Sequence, residues 1–128
     1  MSWSRLRRSV VTIALVWALD LQAARAAELT FDLHIERGSV PANMRLVRVA
    51  QGDMVKLRWT ADRATMLHLH GYDIEVTVNP GAVAEMSFTA RATGRFPVSV
   101  HTPQAGGGHA HEPPLLHVEV RPRSGGLW

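Results

Sequence analysis

Residues 73–101 read DIEVTVNPGAVAEMSFTARATGRFPVSVH, and apolar and polar side chains alternate along three short segments of this stretch. Alternation with a period of two is typical of a β-strand that is buried on one face only. The first two segments are separated by Asn79-Pro80-Gly81, a combination that commonly forms a turn. The stretch therefore predicts three short strands, which are Asp73–Val78, Val83–Thr89 and Gly94–Val100.

The same alternation occurs on both sides of this stretch. In Glu28–Glu36, for example, the apolar residues Leu29, Phe31, Leu33 and Ile35 occupy every second position. Short strands at intervals of about 8–12 residues are typical of antiparallel sandwiches and barrels, and no segment keeps a helical period for three turns. We therefore predict an all-β fold of about eight strands. The further predicted strands are Glu28–Glu36, Met44–Val49, Val55–Trp59, Thr65–His70 and Leu115–Val120.

The N-terminal segment has the three parts of a secretory signal peptide. Basic residues, including Arg7 and Arg8, precede the apolar run Val10–Leu19, and Ala24-Arg25-Ala26 follows as a small-x-small cleavage site. The apolar run is shorter than the ~20 residues of a spanning helix, so we expect no transmembrane anchor in the mature chain. We predict residues 1–26 as signal peptide, residues 27–121 as one domain, residues 122–128 as a flexible tail, and a periplasmic or secreted location.

The charge of the whole chain belongs mostly to the predicted signal peptide. The 128 residues include 14 Lys+Arg and 11 Asp+Glu, a formal net charge of +3. Four arginines and one aspartate lie within residues 1–26, which leaves ten basic and ten acidic residues and a net charge of zero in the mature chain. A neutral chain without interleaved basic and aromatic residues does not favour nucleic acid as a partner.

Histidine is the unusual component of the composition. All seven histidines follow residue 26, and five of them fall in two short regions. His68 and His70 form an H-x-H pair at the end of a predicted strand. His101 begins a long glycine-rich connection that also contains His109 and His111. The other two, His34 and His117, lie within predicted strands and are expected to be surface residues or cross-strand partners.

This histidine pattern points to a transition metal. Imidazole is a preferred ligand of copper, zinc and nickel, and a thioether such as that of Met66 adds affinity for Cu(I). Few carboxylates lie near these histidines, which disfavours calcium and magnesium. Met66 itself is expected to fill the core rather than to bind metal. We predict copper as the metal ion and His68, His70, His101, His109 and His111 as the candidate ligands, with zinc, or no metal at all, left open.

The order of these features resembles the cupredoxin family, which includes plastocyanin and azurin. The resemblance rests on Asn79-Pro80-Gly81, then Met86–Ala90, then Gly94-Arg95-Phe96 followed by His101. His68-Leu69-His70-Gly71 is also similar to the H-x-H-G segment of multicopper oxidases. The resemblance implies a Greek-key antiparallel β-sandwich of about eight strands with a metal site at one pole. One ligand would come from the end of a middle strand and the others from the loop before the last strand.

The chain also departs from this family in a way that limits its function. It has no Cys, whereas blue-copper centres bind the metal through two histidines and a cysteine. We therefore expect neither a blue-copper electron carrier nor a multicopper oxidase, and no enzyme. The leading hypothesis is an exported copper-handling protein for delivery, buffering or resistance, whose partner is a copper-receiving or membrane-bound envelope protein. The alternative is a metal-free interaction or assembly module of the cell envelope.

Overall fold

Eight short strands and one turn of 3-10 helix make up the structure, a computed structural model that describes residues 25–101 and 113–123. The strands lie close to the segments that alternation predicts. β2 begins two residues later than predicted, because Ala42–Met44 form the 3-10 turn. The strands are β1 (Glu28–Ile35), β2 (Leu46–Ala50), β3 (Met54–Ala61), β4 (Thr65–Leu69), β5 (Ile74–Val78), β6 (Ala84–Thr89), β7 (Gly94–Val100) and β8 (Leu116–Arg121).

The strands form two sheets, one of three strands in the order β1-β3-β6 and one of five in the order β2-β8-β7-β4-β5. The prediction of an all-β sandwich of about eight strands is confirmed. The direction of two pairings differs from the predicted antiparallel arrangement, because β1 pairs with β3, and β2 with β8, in parallel. Parallel neighbours require a crossover connection, and β2 in the opposite sheet provides that crossover between β1 and β3.

Alternation along each strand sends its apolar side chains between the two sheets. In β4, Leu67 and Leu69 are fully buried, whereas His68 between them is only half-buried. In β3, Leu57 and Trp59 are also fully buried and face the other sheet. The core is therefore formed by one face of each sheet, and the opposite faces remain available for other roles.

Met66 does not belong to this core. The expectation that it fills the interior is wrong, because its side chain is 38% exposed. Met66 shares the parity of His68 along β4, and successive residues of a strand point to opposite faces. It therefore lies on the outer face of the five-stranded sheet.

The ordered contacts of the domain extend past the last strand. The side chain of Arg123 donates a hydrogen bond of 3.0 Å to the carbonyl of Gln51, two residues beyond the predicted end of the domain at Arg121. Most of the predicted signal peptide, residues 1–24, and the end of the predicted tail, residues 124–128, lie outside the described residues. Within the described part of the chain, no helix is long and apolar enough to cross a membrane.

Candidate metal centre

The H-x-H pair lies on the outer face of the five-stranded sheet, at the end of β4. The ring centroids of His68 and His70 are 4.3 Å apart and their planes meet at 62°. His68 is half-buried, and His70, in the turn that follows the strand, is exposed. The two imidazoles are therefore adjacent to each other and accessible from solvent. The resemblance implies a site at one pole, whereas this pair lies on an outer face of the sandwich.

A carboxylate fixes the orientation of one of these rings. Nε2 of His68 lies 3.2 Å from Oδ1 of Asp73 in the turn after β4. Asp73 has a positive φ of 58°, and its amide donates a hydrogen bond of 3.1 Å to the carbonyl of Leu69. When Nε2 donates its proton to Asp73, Nδ1 is the nitrogen of His68 that is left to accept a metal ion. Such carboxylate–imidazole contacts orient metal-binding histidines.

The turn that carries His70 and Asp73 is held by aromatic packing. Gly71 has a φ of +86°, and a Cβ on it would lie 2.8 Å from Cε1 of Phe96 and nearer still to Cδ1. Only glycine leaves room for that ring and tolerates this backbone conformation. Tyr72 packs against Phe96 and Phe88 at centroid distances of 4.8 Å each, and its hydroxyl donates to the carbonyl of Ala92. The glycine of H-x-H-G therefore fits against the phenylalanine of Gly94-Arg95-Phe96.

His101 lies at the opposite end of the ladder between β4 and β7. Its amide donates a hydrogen bond of 2.8 Å to the carbonyl of Met66, whereas the amide of His70 donates to the carbonyl of Pro97. At about 3.4 Å per residue, His101 is displaced along the strands by roughly 7 Å from His68 and roughly 14 Å from His70. The register thus brings His101 nearest to Met66 and His68. His109 and His111 lie outside the described residues.

The two remaining histidines occupy the surface, as predicted. Nδ1 of His34 lies 2.8 Å from the hydroxyl of Thr60, its cross-strand partner on the three-stranded sheet. His117 is half-buried and lies opposite Leu46 and Pro97 on the five-stranded sheet.

Sequence reasoning did not single out Asp73 as a partner of His68. The signal was the five-residue spacing across a glycine turn, which brings the two side chains together.

The donor set among the described residues is incomplete for a closed metal site. No group of three or more histidine, cysteine or carboxylate side chains within residues 25–101 and 113–123 is arranged to hold a metal ion. The two imidazoles, with the Met66 thioether on the same face of β4, are soft and borderline donors that suit copper or zinc. A blue-copper site does not fit, because the chain contains no Cys.

Comparison with solved structures shows which fold this is. The structure matches the periplasmic domain of subunit II of cytochrome oxidase (CoxB) from Bradyrhizobium japonicum with a TM-score of 0.54 and 18% identity, over 73% of this chain and 84% of that one. It matches the blue copper oxidase of Nitrosomonas europaea with a TM-score of 0.58 and 20% identity, over 76% of this chain and 39% of that one. The fold is cupredoxin-like. The family resemblance inferred from the sequence is confirmed at the level of the fold.

A copper-binding protein solved in its apo form also has this cupredoxin-like fold, with a TM-score of 0.55 and 9% identity over 76% of this chain and 91% of that one. The chain spans only 64% of a heme-copper terminal oxidase chain, and between 31% and 42% of the multicopper oxidases that it matches. No family model matches the sequence, and no curated protein matches it.

Proposed function

We propose that this chain is an exported copper-handling protein that takes copper as cargo through His68 and His70. The observation that supports the proposal is the imidazole pair, with its rings 4.3 Å apart on an outer face of the sandwich. Two adjacent imidazoles, one at the end of β4 and one in the turn after it, are a suitable start for a copper site. The contact between His68 and Asp73 favours one tautomer of the ring for this role.

An open site suits transfer of a metal better than its permanent retention. His70 is exposed, so a partner protein could contribute a ligand before the copper leaves. The chain has no thiolate to hold copper in a blue-copper geometry, and we propose no catalytic turnover. The partner of this proposal is a copper-receiving or membrane-bound protein of the cell envelope.

Further ligands of the proposed site would come from residues that are close in sequence or register. Met66 lies on the same strand face as His68, and its thioether would add affinity for Cu(I). His101 pairs with Met66 across the ladder. We propose His109 or His111, in the segment that follows His101, as the ligand that closes the site.

The proposal is tested by titrating the mature protein with Cu(II), and with Cu(I) under anaerobic conditions, by calorimetry. We expect one equivalent to bind, and we expect the double variant His68→Ala/His70→Ala to bind at least about 100-fold more weakly. His34→Ala is the matched control, since His34 is an exposed strand histidine on the other sheet.

The variants also distinguish the possible ligand sets. If His109→Ala/His111→Ala weakens binding while His68→Ala/His70→Ala does not, the site belongs to the loop and the proposal is wrong. If the mature protein binds Zn²⁺ more tightly than copper at the same pH, copper is not the cargo, but the assignment of the site to these residues stands.

A metal-free interaction module remains the second candidate. It is favoured by the fact that the described residues bring together no group of three metal-binding side chains. Under this alternative, neither copper nor zinc binds more tightly than micromolar, and the joint replacement of the histidines leaves the function in the envelope unchanged.

A further inference from the structure

Asp53 is a buried carboxylate that the proposed copper site does not use. Among the described residues it is the one polar or charged residue that is buried, with 4% of its surface exposed. Oδ2 accepts a hydrogen bond of 2.8 Å from the amide of Ala50, and Oδ1 accepts one of 3.0 Å from the amide of Ala27. The guanidinium of Arg123 forms an ion pair with the same Oδ1. A buried carboxylate of this kind requires charged or hydrogen-bonding partners.

The backbone of Ala27 is held at both ends. Its nitrogen donates to Asp53, and its carbonyl accepts a hydrogen bond of 2.9 Å from the amide of Met54 at the start of β3. The predicted signal peptide ends at Ala26, so the nitrogen that contacts Asp53 is the atom that cleavage would turn into a new N-terminus. The small-x-small motif in the sequence and the hydrogen bond in the structure are independent observations, and both concern the backbone nitrogen of Ala27.

We propose that maturation by hydrolysis of the Ala26–Ala27 bond creates an α-ammonium group that forms an ion pair with Asp53. An export peptidase would use one water molecule, leaving a carboxylate on Ala26 and an ammonium on Ala27. All eight described strands lie C-terminal to this bond, so cleavage removes none of them. The inference does not depend on metal binding.

The exchange of an amide for an ammonium strengthens the contact. The hydrogen bond from the Ala27 amide to the Asp53 carboxylate already has one charged partner, and an ammonium adds direct attraction between opposite charges. Ala27 is exposed, so its ammonium would keep contact with water and lose little hydration while one N–H points at Oδ1. Cleavage also removes the carbonyl of Arg25, which accepts a hydrogen bond of 3.1 Å from Arg123. After cleavage, Asp53 and the carbonyl of Gln51 remain as acceptors for that guanidinium.

The charges around Ala27 determine the sign of the effect on its pKa. Asp53 raises the pKa of the α-ammonium, whereas Arg123, bound to the same oxygen, opposes it. Glu28, the next residue, is exposed and adds a weaker attraction. Arg91 lies beside the same turn, since its backbone carbonyl accepts a hydrogen bond from the side chain of Gln51. We expect a net rise, because Asp53 accepts a hydrogen bond from the Ala27 nitrogen itself.

Asp53 is already suited to remain ionised. Burial alone would raise the pKa of its carboxyl, but the amides of Ala27 and Ala50 and the guanidinium of Arg123 together lower that pKa below its ordinary value. The carboxylate is therefore available at every pH at which the α-amino group titrates.

The experiment compares three mature chains: one that starts at Ala27, the same chain acetylated on its α-nitrogen, and one that starts at Ala26. Thermal unfolding is measured from pH 6 to pH 10. We expect the free Ala27 chain to melt about 4 °C above the other two at pH 6, where the ammonium is fully charged. The difference should disappear as the pH rises through the raised pKa of the α-ammonium, above its ordinary value of about 7.7–8.0.

Three results would overturn the proposal. One is equal melting temperatures of the three chains at pH 6. Another is an α-amino pKa at or below its ordinary value, measured by NMR on chains with isotope-labelled alanine. The third is an exported protein whose mass corresponds to a start other than Ala27. Asp53→Asn should abolish the difference between the free and acetylated chains; if this variant does not fold, the Ala26 chain answers the same question without altering Asp53.

Discussion

The outer faces of the two sheets carry charged rows of different composition. On the three-stranded sheet, Arg58 lies between two acids of the neighbouring strands. Its guanidinium is 2.9 Å from Asp32 and 3.6 Å from Glu85, and Nζ of Lys56 is 3.9 Å from Glu85. Two bases therefore meet two acids, and the group is neutral.

On the five-stranded sheet the arrangement is reversed. Glu119 lies between Arg48 and Arg95 of the neighbouring strands, at 3.9 Å and 3.4 Å from their guanidinium nitrogens. Arg121 adds a third contact at 2.6 Å. One acid therefore faces three bases, and the group carries a net charge of +2.

The same period-two pattern thus produces two surfaces with different properties. On the face of β1, β3 and β6, the group formed by Asp32, Lys56, Arg58 and Glu85 is balanced within itself. The face of the five-stranded sheet carries this positive group on β2, β8 and β7, and the His68–His70 pair lies on and just after the adjacent β4. Arg95 is two residues along β7 from Pro97, whose carbonyl accepts a hydrogen bond from the amide of His70. The proposed function lies on this face because the face carries the His68–His70 pair.

The largest expected effect concerns two methionines on different faces. Met86 of β6 is fully buried in the core, whereas Met66 of β4 lies on the outer face of the five-stranded sheet. We expect Met86→Ala to lower the free energy of unfolding by about 3 kcal/mol, because it leaves a cavity. Met66→Ala should change it by less than about 0.5 kcal/mol. Denaturant unfolding measures both.

Copper titration makes this pair of variants more informative. If Met66 contributes its thioether, Met66→Ala weakens Cu(I) binding and leaves Cu(II) binding nearly unchanged. A loss of stability in Met66→Ala comparable to that of Met86→Ala would contradict the assignment of Met66 to the outer face.

The next effect tests the turn that supports the histidine pair. Gly71 and Gly81 both have positive φ values, +86° and +80°, but only Gly71 faces the ring of Phe96. We expect Gly81→Ala to cost about 1 kcal/mol through backbone strain alone. Gly71→Ala should cost about 2 kcal/mol or more, because Phe96 must also move. Both variants introduce the same backbone strain at a positive φ. The difference between their losses in free energy of unfolding therefore measures the contact with Phe96.

Gly71→Ala should also weaken copper binding, since the turn positions His70 and Asp73. Equal stability losses in the two variants would show that Phe96 adapts without cost, and that the turn is not held by this contact.

The fold was predictable from the sequence because burial on one face imposes a period of two. Leu67 and Leu69 alternate with His68 and His70, and their assignment to opposite faces followed directly. The parallel pairing of β1 with β3 was not predictable in this way. It depends on β2 joining the other sheet, and alternation within a strand says nothing about its neighbour.

The candidate site was predictable only in part. The H-x-H spacing placed His68 and His70 on one face, as the structure shows. The position of His101 relative to them depends on the register of β7 against β4, which sets it beside Met66 rather than His70. The register describes how two strands pair, so the pattern of residues within a single strand does not determine it. The error at Met66 has a different cause: its parity with His68 along β4 already places it on the outer face, and its hydrophobicity was the misleading signal.

The smallest effect compares the two charged rows directly. Glu119→Gln removes the carboxylate among three arginines, whereas Arg58→Gln removes the base between two acids that Lys56 still partly balances. We expect both variants to melt at a lower temperature, and Glu119→Gln to lose more, because three like charges then face one another. Exposed charges are screened, so raising the salt concentration to about 0.5 M should shrink the difference.

Acid pH provides the control for this comparison. Hydrogen bonds from Arg121 and Arg95, together with the charges of Arg121 and Arg48, outweigh desolvation and lower the pKa of Glu119. A group whose pKa is lowered by folding stabilises the protein above its unfolded pKa of about 4.3, and this contribution is lost as the pH falls through the folded value. Wild-type protein and Glu119→Gln should therefore differ in melting temperature at pH 7. The difference should shrink as the pH falls below about 4.3 and disappear below the lowered pKa of Glu119. If the difference in melting temperature persists undiminished at acid pH, Glu119 stabilises the protein by packing rather than by charge. The contrast in charge between the two faces would then not explain the effect of this variant.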